Sequence, residues 1–327
     1  MRRSAQTPFL ILSLLAAGCG GNPEPTPPIR SGTPPPLGST LPHVMLLLPS
    51  NRTIDADMLR ETIEQLATTG PTPFVYREGF VRDGQSYETQ ADVIREATRR
   101  KVQGMIVAAA VPDVVAPALE EARKQGVSVV TIGPEIPLQE DRFPRVELAA
   151  AQEPARQIVT RLAEQARTKT AAETTPLSAI LLARFDEDWS LQNTAAALES
   201  ELQAAGLSLA VTLRHGRSEL EVRDQLRNAL ADHPEAALIL FESDAGALAT
   251  QSVAADTAPG HNLVFGGFID RADPKKLPGA SVLVRRNVDE LARQAAKTAL
   301  DLIAGRPAPE RVQIYPSILE LPDPDNS

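Results

Sequence analysis

The sequence predicts an α/β protein of two lobes, each built on a doubly wound parallel sheet. Three observations predict it. From His43 onward, short apolar runs alternate with amphipathic helical stretches. The alternation breaks at the polar, Thr-rich stretch 169–176 and then starts again, which divides the elements between two lobes. The stretch VQGMIVAAAVPDVVAPALEEARKQGVSVVTIG, Val102–Gly133, holds a complete strand, helix and strand, the unit of a right-handed parallel crossover.

Within that unit Gly104–Ala110 suits a strand buried on both faces. Asp113 is expected to cap the helix that follows, with Val114, Val115, Leu119 and Ala122 inward and Glu120, Glu121, Arg123 and Lys124 outward. Gly126 stands where a helix end needs positive φ. Val127–Ile132 is the second strand. Ligands of such sheets sit beyond the carboxyl ends of the strands, so loops Ala109–Pro112 and Gly133–Glu135 are the first places to look for function.

Upstream, strands are expected at Val44–Leu48 and Pro73–Arg77, with helices at Ala56–Thr68 and Gly84–Lys101. Downstream, the strand Arg145–Leu148 leads into a helix over Ala150–Arg167. The second series places strands at Ser178–Ala183, Leu207–Leu213, Ala236–Phe241, Leu263–Phe265 and Ser281–Val284. Its helices are Leu191–Ala205, Glu219–Ala231, Asp244–Ala255 and Asp289–Ile303, the last closed by Gly305. Val312–Tyr315 and Ile318–Leu321 are the final extended pieces, ahead of an acidic, Pro-rich tail.

The N-terminus carries targeting chemistry. Met1-Arg2-Arg3 is a positive n-region, and Pro8–Gly18 is an apolar stretch too short for a permanent span. It ends in Leu15-Ala16-Ala17-Gly18-Cys19, and Cys19 is the only cysteine of the chain. Leu, small residues and then Cys resemble the lipobox of bacterial lipoproteins. The resemblance implies removal of signal peptide 1–18 and acylation of Cys19 with fatty chains such as palmitate, tethering the protein to a membrane on the extracytoplasmic side. Residues 20–42 hold eight prolines in twenty-three positions, an extended spacer that cannot build a core.

Composition narrows the function classes. A net charge of −9 argues against a nucleic-acid surface. Four scattered histidines and a single cysteine hold no zinc pattern, and no cofactor is implied. No Gly-x-Ser-x-Gly elbow and no phosphate-loop spacing is present, so the chain reads as a non-enzyme with no catalytic residue. His215 is a lone loop histidine, expected to be structural or solvated.

In order, spacing and phase, the first strand, the Val102–Gly133 unit, HPEAALILFESDAGALA, the VFGGF strand and NVDELARQAAKTALDLIAG resemble the type I periplasmic binding proteins. That group serves ribose and related sugars and shares its fold with LacI-type repressors. The resemblance covers Val44 to Glu320. It implies three crossings between lobes, near Glu147, Arg286 and Tyr315, forming a three-strand hinge around a ligand cleft. The N-terminal lobe would be 43–147 with 287–314, and the C-terminal lobe 148–286 with 315–327. Where the repressors carry a DNA-binding helix-turn-helix, this chain has a signal peptide and a proline spacer.

Carried over position by position, the sugar site is mostly replaced. Asn51 survives after the first strand, but no aromatic pair follows it in Arg52-Thr53-Ile54-Asp55. Gly133-Pro134 stands where an Asp-Arg pair is usual. Arg184 substitutes for an arginine that would fall near Thr194, and Arg217 stands for an aromatic. Ser243 stands for an asparagine with Asp244 beside it, Asp270 lies two residues beyond the usual aspartate, and Arg286 replaces the terminal amide. The candidate ligand-binding set is Asn51, Arg184, Trp189, Arg217, Ser243, Asp244, Asp270 and Arg286. Arginine forks at Arg184, Arg217, Arg271, Arg285 and Arg286 suit an anionic ligand. The competing reading makes them a solvated rim paired with Asp186, Glu187, Asp188, Glu242 and Asp270. Trp189 is either a stacking platform or a cover over a helix start, and Asp244 is expected to cap its helix.

Two functions follow. One is a lipid-anchored receptor that captures a small polar solute, sugar-like or anionic, for the permease of an ABC importer. The other is a sensory or interaction lipoprotein with a degenerate pocket that signals to an envelope partner.

Overall fold

The computed structural model describes residues 41–49, 53–80, 88–133, 135–137, 142–170, 177–185, 191–256, 263–319 and 321. Cys19, the spacer, Asn51 and Trp189 lie outside the described residues. The first sheet contains β1 (His43–Leu48), β2 (Val75–Phe80), β3 (Gly104–Ala108), β4 (Ser128–Ile132), β5 (Arg145–Leu148) and β11 (Arg311–Ile314), in the order β11-β5-β4-β3-β1-β2, all parallel. The second contains β6 (Ser178–Arg184), β7 (Ser208–His215), β8 (Ala236–Phe241), β9 (Val264–Ile269), β10 (Val282–Arg285) and β12 (Ser317–Leu319), in the order β12-β10-β9-β8-β6-β7. Only β12 runs antiparallel to its neighbour.

Both sheets are covered on both faces, which is why their central strands read as unbroken apolar runs rather than alternations. In the first lobe α1 (Ile54–Thr69) and α8 (Val288–Ile303) pack on one face through Leu59, Ile63, Leu291 and Ala295. Helices α2 (Glu88–Arg99) and α3 (Pro112–Lys124) cover the other through Ile94, Val115 and Leu119. In the second lobe α4 (Gln152–Thr170) and α5 (Thr194–Ala204) bury Ile158, Leu162 and Leu198. Helices α6 (Glu219–Asp232) and α7 (Asp244–Asp256) bury Leu226, Ala247 and Val253 on the opposite face.

Several local expectations change. Helix α3 starts at Pro112, with Val111 at the cap position and no side-chain cap. Asp113 is therefore inside the first turn, where its charge complements the helix dipole but does not cap it. Strand β2 runs on to Phe80, and β9 continues through both glycines to Ile269. It can do so because Gly267 lies against Phe241 of β8, where an added Cβ would fall 2.0 Å from the Phe241 carbonyl oxygen. Gly126 takes φ +85°, as a helix C-terminus requires.

The chain passes between the sheets at 149–151, 286–287 and 315–316. Asn287 sits in the second passage with φ +62°, a left-handed conformation rare outside glycine. Its side-chain amide donates to the Tyr315 carbonyl and to the Ser317 hydroxyl, both at 2.8 Å, and so stitches the second passage to the third. Asn287→Ala loses both bonds and leaves an alanine in the left-handed region, a combined cost of about 2 kcal/mol. Asn287→Gly loses only the bonds and is expected to fall between this variant and wild type. Urea midpoints of the three proteins check the order.

Candidate functional site

In a doubly wound sheet the strands end, and the following helices begin, on the same edge. The two lobes turn these edges toward each other. The second lobe brings arginines to its edge: Arg184 is the last residue of β6, Arg217 follows β7, Arg271 follows β9 and Arg286 follows β10. The first lobe answers with carboxylates on the opening turns of its helices, Asp55, Asp57 and Glu61 of α1 and Asp289 of α8.

Arg286 is the centre. It is the bulkiest of the fully buried side chains among the described residues. Its Nε donates to Asp270 Oδ1 at 2.7 Å and its Nη2 to Asp270 Oδ2 at 2.7 Å, a bidentate fork within its own lobe. The same Nη2 donates to Asp55 Oδ1 of the other lobe at 2.8 Å. Its Nη1 is buried with no hydrogen-bond partner among the described residues. Burial opposes the charge, but Asp270 and Asp55 more than offset it and hold the guanidinium pKa above its ordinary value. Burial pushes the Asp270 carboxyl up, against the pull of Arg286.

Asp55 is wholly buried and collects donors from the second lobe: Arg286, the Leu191 backbone N–H at 2.8 Å and Arg184 Nη1 at 3.4 Å. Arg184 also lies 3.8 Å from Glu242 Oε1, and that oxygen accepts from the Arg184 backbone N–H at 2.6 Å. Glu242 takes the Thr194 hydroxyl on its other oxygen. At the rim Arg217 pairs with Asp57, and Arg271 bridges Glu61 and Asp289. Burial opposes it, yet hydrogen bonds from Arg271 and Thr62 hold the Asp289 carboxyl below the usual carboxylate range.

The solvated-rim expectation therefore splits by position. It describes Arg217 and Arg271 in exposure, at 45% and 39%, but their partners are Asp57, Glu61 and Asp289 of the other lobe, none of them expected. It fails for Arg184 and Arg286, which are sealed in at 5% and 1%. Glu242 and Asp270 are partners as expected, and Asp186, Glu187 and Asp188 lie outside the described residues. Asp55 was not anticipated. An Asp at a helix start ordinarily reads as a response to the dipole, and its partner Arg286 is 231 residues away. The one available signal was that Asp55 closes the stretch Arg52-Thr53-Ile54-Asp55, from which the expected aromatic pair is missing.

Other candidates take different roles. Arg285 leaves the cluster and donates to the Ala272 carbonyl. Ser243, not Asp244, caps α7, its Oγ accepting from the Gly246 N–H at 3.0 Å. Asp244 instead accepts the backbone N–H groups of Asp270 and Arg271 at 2.8 and 2.9 Å, holding the loop that carries both. The loop after β3 is closed by Gln90, whose amide bridges the Ala108 carbonyl and the Ala110 N–H. That loop and the described part of the loop after β4 contribute none of the ion pairs above.

His215 is the last residue of β7 and fully buried, not a solvated loop histidine. Its Nδ1 donates to the Gly216 carbonyl at 2.7 Å, so Nε2 is left to accept from the Ser243 hydroxyl at 3.4 Å. Both side chains are sealed from solvent, and the pair ties the end of β7 to the start of α7. Burial pulls the His215 pKa below its ordinary value, against the Gly216 hydrogen bond and Glu242. Among the described residues no group of acidic, histidine or cysteine side chains can hold a metal, and no helix is long and apolar enough to cross a membrane.

Two predictions follow from these contacts. Arg286→Met leaves Asp270 buried without its cation and Asp55 with only the longer contact to Arg184, a loss of about 3–5 kcal/mol readable by urea unfolding. His215 makes stability pH-dependent. Its folded pKa is below the unfolded value of about 6.5, so the unfolded chain binds more protons and stability falls as pH drops below about 6.5. In melting-temperature profiles from pH 8 to 5, His215→Gln is expected to lose this part of the slope.

No protein-family model matches the chain, and no curated protein matches it. Solved structures do. A periplasmic solute-binding protein of an ABC transporter from Actinobacillus succinogenes, with bound D-allose, aligns over 88% of this chain and 100% of its own at 13% identity and a TM-score of 0.64. A periplasmic ribose ABC-transporter protein from Conexibacter woesei aligns over 88% and 94% at 16% identity and 0.60. A carbohydrate-transporter solute-binding protein from Agrobacterium radiobacter, in complex with D-arabinose, aligns over 86% and 94% at 12% identity and 0.63. Two parallel-sheet lobes joined by three passages, aligned over nearly the whole length of these proteins, give this chain the fold of the type I periplasmic binding proteins.

Proposed function

We propose that the protein is a lipid-anchored, extracytoplasmic substrate-binding protein that captures a small polar solute between its lobes and presents it to the permease of an ABC importer. The observation that carries this reading is the convergence of buried polar groups from both lobes at the facing strand ends, with one guanidinium nitrogen, Arg286 Nη1, buried without a partner among the described residues and able to donate to a ligand. The structural neighbours bind D-allose and D-arabinose, which supports a sugar-like ligand. Charge counting supports it too. The buried cluster sets Arg184 and Arg286 against Asp55, Asp270 and Glu242, so its cations are already neutralised and an anion would add a further negative charge. A neutral polyol offers acceptors to Arg286 and donors to the carboxylates. In the lipid-anchored reading Cys19 is the acylated residue and residues 20–42 hold the lobes off the membrane.

A second reading has its own support. The interlobe side chains satisfy one another, as expected of a sensory or interaction lipoprotein that keeps the fold but not the ligand. A thermal-shift panel of pentoses, hexoses, sugar acids and sugar phosphates separates the two. A ligand at a hundred times its dissociation constant adds about 2.7 kcal/mol of stability. The expected result is a shift with neutral sugars, and a shift confined to acids and phosphates would overturn the charge argument. No shift with a well-folded protein would favour the interaction reading. Labelling with a radioactive fatty acid, lost in Cys19→Ser, tests the anchor.

A further inference from the structure

We infer that the facing edges of the two lobes form an electrostatic latch, in which the acidic opening turns of α1 and α8 hold the arginine-bearing strand ends of the second lobe and keep the cleft closed by the protein's own side chains. The inference goes beyond the proposed function, because it needs no ligand and stands whichever partner the protein serves.

The argument is one of pattern, geometry and charge. Asp55 and Asp57 lie in the first turn of α1 and Asp289 in the first turn of α8, near the positive ends of their helix dipoles, and Glu61 follows one turn further along α1. Every one of the four meets an arginine of the other lobe: Asp55 meets Arg286 and Arg184, Asp57 meets Arg217, and Glu61 and Asp289 share Arg271. The arginines come from the ends of four strands, so the contact runs along the second sheet's edge from β10 to β7. Single exposed ion pairs contribute little, but this set includes a buried carboxylate with several donors and a guanidinium bridging two carboxylates. Leu191 adds an apolar element. Its N–H donates to Asp55 while its side chain packs against the core of the first lobe. Thr62 completes the set by donating to Asp289 at 2.7 Å, which fixes the acceptor for Arg271.

The test measures the lobe-to-lobe distance by pulsed electron spin resonance, between spin labels on Gln65→Cys and Lys275→Cys. Both positions are exposed, one on each lobe, and Cys19→Ser removes the only other thiol. At about 0.1 M salt, where screening over about 10 Å is incomplete, the otherwise unchanged protein is expected to show one short distance. Asp55→Asn with Asp57→Asn, near-isosteric changes, neutralises the buried acceptor of Arg286 and one rim charge, and is expected to shift the population to longer distances. Asp57→Arg with Arg217→Asp reverses one pair and is expected to keep the short distance, whereas Asp57→Arg alone lengthens it. An unaltered distance in the neutralised variant overturns the latch, and so does a swapped pair that opens as far as the single charge reversal. Circular dichroism on each variant confirms that the helices are intact.

Discussion

The lobes are placed relative to each other by one buried cation. Arg286 carries its guanidinium into an interior where an unpaired charge would cost several kcal/mol, and such burial is tolerated only with close to ideal geometry. The fork to Asp270 supplies that geometry inside one lobe, and the bond to Asp55 extends it into the other. Because a planar guanidinium presents its donors in fixed directions, holding Asp270 and Asp55 together sets both the distance and the angle between the strand edges that carry them. The passage at Asn287 follows directly in sequence. Its left-handed turn and its bonds to Tyr315 and Ser317 place the hinge one residue from the central ion pair.

Topology explains why so many charges reach this one place. The sheet orders put a switch point between β1 and β3 in the first lobe and between β6 and β8 in the second. Helix α1 leaves the first switch point, so Asp55 stands at its mouth. Arg184 ends β6 at the second. Residues at these positions have no room to turn outward once the lobes face each other, so each either satisfies a neighbour across the gap or remains buried and unsatisfied. Here nearly all find a neighbour, and Arg286 Nη1 is the exception among the described residues that build the ion-pair cluster.

Much of this was legible in the sequence. Strands buried on both faces declare themselves as apolar runs such as Leu46–Leu48 and Ile180–Leu182, and glycines such as Gly126 mark where helices end, so the alternating lobes could be read directly. Positional analogy also brought Arg184, Asp270 and Arg286 to one site. What escaped was pairing. Nothing local in Thr53-Ile54-Asp55 says that its carboxylate is wholly buried, because the donors that permit this lie in another lobe. His215 escaped for the same reason. A histidine followed by glycine reads as a loop until β6 and Ser243 are placed against it. Asp113 and Asp244 failed in the opposite direction: a plausible local cap lost to Pro112 at one helix start and to Ser243 at the other.

The charge arrangement also constrains what the cleft can accept. A ligand shifts a closure equilibrium only by the difference between its affinities for the closed and open forms. In a cleft already held by ion pairs, part of any ligand's interaction replaces bonds that the protein makes to itself, and only the surplus stabilises closure. A carboxylate ligand competing for Arg286 would exchange one charged acceptor for another, with little surplus, and would leave Asp55 buried beside it. A ligand that bonds to Arg286 Nη1 while leaving the Asp55 and Asp270 contacts in place adds interactions without removing any. A neutral polyol, the ligand class proposed above, meets that condition. In the proposed reading, the pairing of Arg184 and Arg286 with Asp55, Asp270 and Glu242 thus weighs against an anionic ligand, despite the number of arginines at the edge.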